Sequence, residues 1–430
     1  MDYNSLNDNK KRGLPRIILY IFLAYTMFIQ YKIVEVPGMV TLLGALLLGS
    51  VFLYTICSHI NINTYLTREI KGLFVFYLIT LVTGVLVSPS ISLHLSTWMN
   101  SFLYFFIITS IVYIANNTKN LKICMTFVGV LILLIACVLL SDPVLYRDTS
   151  IAENIRYSIS SKLNVNTLGT FFAFGTWIIL CAMTFIKKIR PVGIIYILIM
   201  LVAIAKTGSR KSIIGAVILL ALWYVLIFML DYSRNVILKI LITIGLIIGA
   251  FLLITQVYSD SMLALRMNQL VETLTSDESS SYSRIIMYER AWQLFQTSPL
   301  FGVGFNGYSY YFGGYSHAAY AEVLACTGLV GTVLYFGVYV TSIVRIIKMI
   351  KVCRKNPLLE KEQKILKLAL ILWLEMSFMA ISIIHIYVIT SFIYMGFLLA
   401  MTRIAYNGIL EVYPGYKKYC IGTRITLGER

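Results

Sequence analysis

Seven residues stand out as able to do polar chemistry in a very apolar chain: Arg156, Arg210, Arg266, Arg284, His317, Tyr320 and Glu322. Arg210 sits in Thr-Gly-Ser-Arg-Lys-Ser at 207–212, between two apolar runs. A charged group at a membrane edge is costly unless it is paired or faces a polar cavity. Its planar fork suits two oxygens of a phosphate; the alternative is a side chain that snorkels from a helix end. Lys206 and Lys211 beside it repel it unless an anion comes to them. Arg284 begins a stretch of helical spacing that also carries Arg290. Arg156 and Arg266 lie in two polar stretches, where each is either an ordinary solvated charge or part of a shared site for a lipid-linked pyrophosphate.

His317 falls in Gly-Tyr-Ser-His-Ala-Ala-Tyr-Ala-Glu, just before an apolar run. An imidazole titrating near ~6.5 can take a proton from a sugar hydroxyl at working pH. It can equally serve as a structural or capping histidine. His94 and His385 are alternatives on the same side, and His59 falls on the opposite one. Glu322, five positions beyond His317, does not share its helical face and is open to pairing with an arginine. Asn164 and Asn166 precede an apolar run, where asparagine caps a helix or offers hydrogen bonds to sugar hydroxyls.

The elements that must position these residues follow from composition. The chain has 430 residues, 59% hydrophobic and 13% charged. Soluble chains are about 45–50% apolar and about 25% charged, so this one needs a bilayer. Apolar runs long enough to cross one fall at about 17–31, 37–58, 72–88, 97–115, 121–140, 166–186, 191–206, 212–230, 235–257, 321–344, 365–383 and 386–402. The expected fold is therefore an all-α polytopic transmembrane helix bundle of about 12 spans. One large external loop is expected between spans 9 and 10. This divides the chain into 1–257 (spans 1–9), 258–320 (the loop) and 321–430 (spans 10–12 and a basic tail). Helical spacing over 283–295 predicts an interfacial helix with Ile285, Tyr288, Trp292 and Phe295 on one face.

The net charge of +17 is read by position. Most of the 36 basic residues fall at one set of span ends, which places both termini in the cytoplasm. The charge then speaks for anionic lipid and diphosphate, not nucleic acid. The seven cysteines form no Cys-x-x-Cys pair and are read as small hydrophobes. Gly302-Val303-Gly304-Phe305-Asn306-Gly307 matches Gly-x-Gly-x-x-Gly, but no strand precedes it, so its glycines are assigned to a tight turn. No metal-ligand spacing, nucleophile elbow or P-loop is present, and no cofactor is expected. A transporter would show symmetry between its halves, and none is visible.

Taken in order, these landmarks resemble the O-antigen polymerase and ligase superfamily. They are Arg156 followed by Asn-Val-Asn-Thr-Leu-Gly at 164–169; Thr-Gly-Ser-Arg-Lys-Ser at 207–212; and Arg284, Trp292, Ser-Pro-Leu-Phe-Gly-Val-Gly at 298–304, His317, Tyr320, Glu322 and Thr-Gly-Leu-Val-Gly. The resemblance covers roughly 150–345. The family commonly has Asn after the His, where this chain has Ala318, and Pro in the Asn-rich turn, where this chain has Val165. The resemblance implies a metal-independent, inverting glycosyltransferase at the outer face of a bacterial cytoplasmic membrane. It would polymerise undecaprenyl-diphosphate-linked oligosaccharide into O-antigen, capsule or exopolysaccharide. A ligase that passes a finished glycan to an acceptor, and a flippase for the same lipid, are the alternatives. In the polymerase reading Arg210 and Arg284 hold the diphosphate and His317 is the general base. Arg156, Arg266, Glu322, Asn166 and Tyr320 bind or position substrate. A chain-length regulator and a flippase would be partners.

Overall fold

A computed structural model describes residues 13–57, 67–147, 155–229 and 280–414. Helices α1 (Gly13–Ala24, carried to Lys32 by a π-helical turn), α2 (Met39–Cys57), α3 (Arg68–Val87), α4 (Ile91–Ile114) and α5 (Thr118–Ser141) come first. An antiparallel hairpin of β1 (Val144–Arg147) and β2 (Ile155–Ser158) follows. Next are α6 (Val165–Phe185), α7 (Arg190–Thr207) and α8 (Arg210–Trp223, extended to Met229). The final group is α9 (Ser280–Thr297), α10 (Gly307–Phe312), α11 (Ala319–Cys353), α12 (Glu360–Met379) and α13 (Ile389–Val412). Side chains start several of them. Thr67, Ser90, Asn117 and Asn164 each accept a hydrogen bond from a first-turn backbone N–H.

Ten helices among the described residues are long and apolar enough to cross a membrane, so the expected count of twelve is corrected. The run at 235–257 lies outside the described residues. The run at 365–383 becomes α12, which starts at Glu360 and carries Glu360, Lys361, Glu362, Lys364, Lys367 and Glu375. That is too many charges for a lipid-facing span, and α12 is instead walled in by α8, α11 and α13. The final run is longer than expected and extends to Val412. The segment between spans 5 and 6 holds a short two-stranded sheet that an all-α expectation omits.

The centre of the bundle is α6 against α12 and α13. The Trp177 indole donates to the Leu368 carbonyl at 3.0 Å, and Tyr394 donates to Thr170 O at 3.0 Å. Phe174 stacks on Tyr394 with ring centroids 3.8 Å apart. Outer helices turn Leu and Ile outward, as Leu42, Leu46 and Leu53 do on α2 and Ile194, Ile195 and Leu198 on α7. Lipid tails accept such a face without loss.

The two ends of the bundle differ. One end gathers the turns at 33–38, 88–90, 142–147, 155–164, 208–209, 298–318 and 380–388. Lys162 pairs with Glu35 there, and the Phe305 N–H donates to His94 Nδ1 at 2.9 Å. The other end is tied by Arg345 to Glu69 at 3.0 Å and by Arg16 to Asn120 Oδ1 at 3.0 Å. It carries most of the described lysines and arginines, including Lys119, Lys122, Lys187, Lys188, Lys351 and Lys355.

One irregularity shapes the first end. α11 breaks its helical dihedrals at Gly328, with φ 62° and ψ −165°. A broken helix leaves backbone groups without partners. The turn at 299–304 supplies them. Leu329 and Val330 donate to Pro299 O and Leu300 O, while Val303 and Gly304 donate to Ala325 O and Cys326 O, all at 2.8–3.1 Å. The two backbones lie so close that a Cβ at Gly302 would come within 2.4 Å of Cys326 C, and one at Gly328 within 2.4 Å of Leu300 C. Both glycines also have positive φ, a region that side chains resist. The Gly-x-Gly turn is thus a backbone splice into a helix.

Candidate functional site

The Asn-rich turn and the Thr-Gly-Ser-Arg element meet directly. Asn164 caps α6 by accepting from Asn166 N at 2.8 Å. The Asn166 side chain then points across to the next element, where its Oδ1 accepts from Ser209 Oγ at 3.1 Å. Ser209 also bonds Ser212 Oγ at 2.8 Å. Gly169 permits the approach, since a Cβ there would stand 2.5 Å from Ser212 Oγ. Gly208, in the left-handed region, ends α7 and lets α8 start two residues later.

Arg210 and Lys211 are the first two residues of α8 and are both half-buried. Arg156 reaches the same region from β2, where it pairs in register with Tyr146. Arg284 stands exposed in α9. The charges of Arg156 and Arg284 act on both Arg210 and Lys211. Four cations from three elements therefore share one electrostatic neighbourhood. Like charges gathered at a low-dielectric rim repel, and the cluster becomes a strong attractor for an anion.

The turn after α12 joins these elements to the His317 segment through three successive carbonyls. Ala319 N donates to Ala380 O at 2.8 Å, Tyr288 OH to Ile381 O at 3.0 Å, and Lys211 Nζ to Ser382 O at 2.8 Å. The helix of Arg284, the helix of Arg210 and the segment of His317 are all fixed to this short turn.

His317 is one of two non-glycine residues with positive φ among those described, at 59°. A left-handed residue costs roughly 1–2 kcal/mol, and such strain persists only where the surroundings over-determine it. Here the surroundings do. Ser316 N donates to Glu322 Oε2 at 2.9 Å, Ser316 Oγ donates to Ala318 O, and the Tyr315 ring lies 4.4 Å from the imidazole. Glu322 is fully buried, and Cys326 Sγ lies 3.6 Å from its other oxygen. Among the described residues its contacts are with the His317 turn and Cys326, and not with an arginine.

Other expected residues are placed differently. Tyr320 stacks on Phe336 and donates to Ser377 O at 2.8 Å, which pins α11 to α12. His94 is buried with its Nδ1 taken by Phe305 N. His385 is buried against the Tyr339 hydroxyl at 3.2 Å. Arg266 and His59 lie outside the described residues. α9 spans Ser280–Thr297, longer than expected at both ends. It packs through Met287, Ala291 and Leu294, leaving Ile285 and Trp292 outward. Of the face read from spacing, Ile285 and Trp292 are exposed, whereas Tyr288 turns to the protein and donates to Ile381 O, and Phe295 is half-buried.

Lys211, Tyr288 and Ser209 were not among the candidate site residues. Lys211 had a signal, its adjacency to Arg210, but neighbouring helical positions face different ways and spacing does not say which one enters the site. Tyr288 and Ser209 act through contacts made across long stretches of chain.

Comparison with known proteins bears on this arrangement. A family model described as O-antigen ligase matches residues 195–336, the stretch that contains Arg210, Arg284, His317 and Glu322. Over this stretch the chain is similar to the O-antigen ligase and polysaccharide-polymerase superfamily. Among curated proteins it is similar to the teichuronic acid biosynthesis protein TuaE of Bacillus subtilis (strain 168), at 26% identity over 212 residues. That alignment takes in 46% of this chain and 43% of TuaE, so the chain spans less than half the length of this relative. Within the matched residues lie the kink of α11 at Gly328, the spliced turn and three of the four clustered cations; Asn166 and Arg156 lie before them.

Proposed function

We propose that this protein is a membrane-embedded glycosyltransferase that moves a glycan from a polyprenyl diphosphate carrier to an acceptor hydroxyl. The observation that carries this reading is the convergence of the Arg210, Arg284 and His317 elements on the carbonyls of Ala380, Ile381 and Ser382. Transfer of a sugar off a diphosphate develops negative charge on the leaving oxygens. Arg210 and Arg284, with Arg156 and Lys211 behind them, stabilise that charge from fixed positions. His317, held in a strained backbone by Ser316 and Glu322, takes the proton of the acceptor hydroxyl. Asn166 positions the start of α8 through Ser209.

The acceptor defines two versions of the reaction. The description of the matching family favours ligation, in which a finished glycan passes to a different acceptor. Polymerisation, in which the acceptor is another lipid-linked repeat unit, uses the same groups. One assay separates them. The purified protein is given a lipid-linked oligosaccharide alone, and then with candidate acceptors. A ladder from the lipid-linked oligosaccharide alone supports polymerisation, and a single acceptor-dependent product supports ligation. Loss of neither product in Arg210→Ala and His317→Ala would overturn the assignment of the site.

A further inference from the structure

The segment 306–318 is a strap tied at both ends to the turn at 380–387. Asn306 at its start and His317 near its end are the two non-glycine residues with positive φ among those described. Asn306 N donates to the Tyr387 hydroxyl at 3.0 Å, and Ala319 N, just past the strap, donates to Ala380 O at 2.8 Å. Two inward rings hold the middle. Tyr308 is buried and donates to Met287 O of α9 at 3.1 Å, and the Phe312 ring lies 5.0 Å from the Arg290 guanidinium. The strap turns other rings outward: Tyr310, Tyr311 and Tyr315 are 53%, 51% and 44% exposed. Among residues 306–318, all of them described, no aliphatic side chain is exposed. The outer faces of α2 and α7, by contrast, present leucine and isoleucine. Tyr310 and Tyr311 set their rings 5.4 Å apart at 89°, like two walls of a corner. Tyr315 lies against the His317 imidazole, with 4.4 Å between centroids.

We propose that Tyr310, Tyr311 and Tyr315 form a saccharide subsite, which stacks the sugar rings of the acceptor glycan and presents one of its hydroxyls to His317. The inference rests on the glycan-transfer reading above. A tyrosine ring has an apolar face of slight negative charge and a polar tip. A pyranose offers the complement, with C–H groups on its faces and hydroxyls around its edge. Tyrosine also loses little freedom on binding, and less still on a backbone already held in place. Because Tyr315 touches the imidazole, the sugar seated on Tyr315 is the one whose hydroxyl gives up its proton. Tyr310 and Tyr311 take units farther along the glycan. Sugar recognition thus falls to the strap, and diphosphate recognition to Arg210 of α8 and Arg284 of α9.

The test uses the full chain in lipid nanodiscs with two probes. One is the oligosaccharide freed by mild acid from the lipid-linked pool of the cells that make this protein; the other is farnesyl diphosphate. Glycan binding is followed by saturation-transfer NMR and diphosphate binding by calorimetry. The expected result is saturable glycan binding without any diphosphate present. It should weaken about tenfold in Tyr310→Leu and in Tyr311→Leu, and hold in Tyr311→Trp. Leucine keeps apolar area but offers no ring face, so this pattern reads stacking and not burial. Absent glycan binding, or equal binding in the leucine variants, overturns the subsite. So does quenching of the added Tyr311→Trp fluorescence by brominated lipid, which would assign these rings to the bilayer. Farnesyl diphosphate binding without glycan binding removes the subsite and leaves the transfer reading in place. Glycan binding with the expected pattern, but no binding of farnesyl diphosphate, overturns the diphosphate reading and leaves the saccharide subsite.

Discussion

The Asn166 side chain accepts a hydrogen bond from Ser209 across 43 positions of sequence, at 3.1 Å. This bond sets the start of α8, and with it Arg210, against the start of α6. Asn166→Ala and Ser209→Ala should each cost about 1 kcal/mol of stability. Turnover should fall further, on the order of 10²-fold, because a small displacement of a positioned group is enough. The double variant should be little worse than either single one. Thermal melts and turnover on the three variants check this; additive losses would show the bond to be incidental.

Arg210→Ala should lower turnover on the order of 10²–10³-fold. Arg210→Lys should recover only part of it, since a lysine offers a point charge in place of a two-pronged donor. Binding of a polyprenyl diphosphate, measured by calorimetry at rising salt, should weaken in parallel. Unchanged binding in Arg210→Ala would remove Arg210 from the anion site.

At His317, role and strain can be told apart. His317→Gly relieves a left-handed residue and should hold stability or raise it by roughly 1 kcal/mol, while turnover falls on the order of 10²–10⁴-fold. A structural histidine would give the opposite pattern, with lost stability and retained turnover. Melting curves beside product assays read the two effects separately.

Acid sensitivity should arise in part from His385. Burial first, and then the Lys211 charge, push its imidazole down to about 3, against about 6.5 in an unfolded chain. The folded form binds fewer protons between those values. Its contribution to stability is therefore complete above about 6.5 and is lost as pH falls toward 3. His385→Gln should flatten this acid limb of a stability-against-pH curve. A limb of unchanged slope would assign the sensitivity to other groups.

The splice between the 299–304 turn and α11 should tolerate almost no side chain at its two glycines. Gly302→Ala and Gly328→Ala each add a Cβ 2.4 Å from opposing backbone in a dihedral region costly for alanine. Each should lose at least about 1–3 kcal/mol, seen as a lower melting temperature. Gly314→Ala, with open space around it, is the control and should leave the melting temperature unchanged.

Much of this was legible in the sequence. Period and length alone place most of the helices, because a bilayer rewards long apolar runs wherever they fall. The alternation of basic turns fits the two chemically distinct ends of the bundle. Asn164 reads correctly as a cap because capping is local. The α9 helix is legible from spacing, but of its expected outward face only Ile285 and Trp292 are exposed, because Tyr288 reaches across to Ile381 O. α12 reads from sequence as an apolar run, and only the packing shows how its charged residues are accommodated, inside a wall of other helices. The hairpin at Val144–Ser158 was missed because its strands are four residues each, too short to show a period.

The sequence by itself determined that this is a membrane protein with cations and a histidine gathered near one set of span ends, since hydrophobic length and charge position are local properties. Only the tertiary structure decided that Arg156, Arg210, Lys211 and Arg284 share one field, that Glu322 braces the His317 turn, and that Ala380, Ile381 and Ser382 tie three elements together. Apart from the local brace at His317, those facts depend on how elements far apart in the sequence pack side by side, and no spacing along a single chain encodes a contact between two of them.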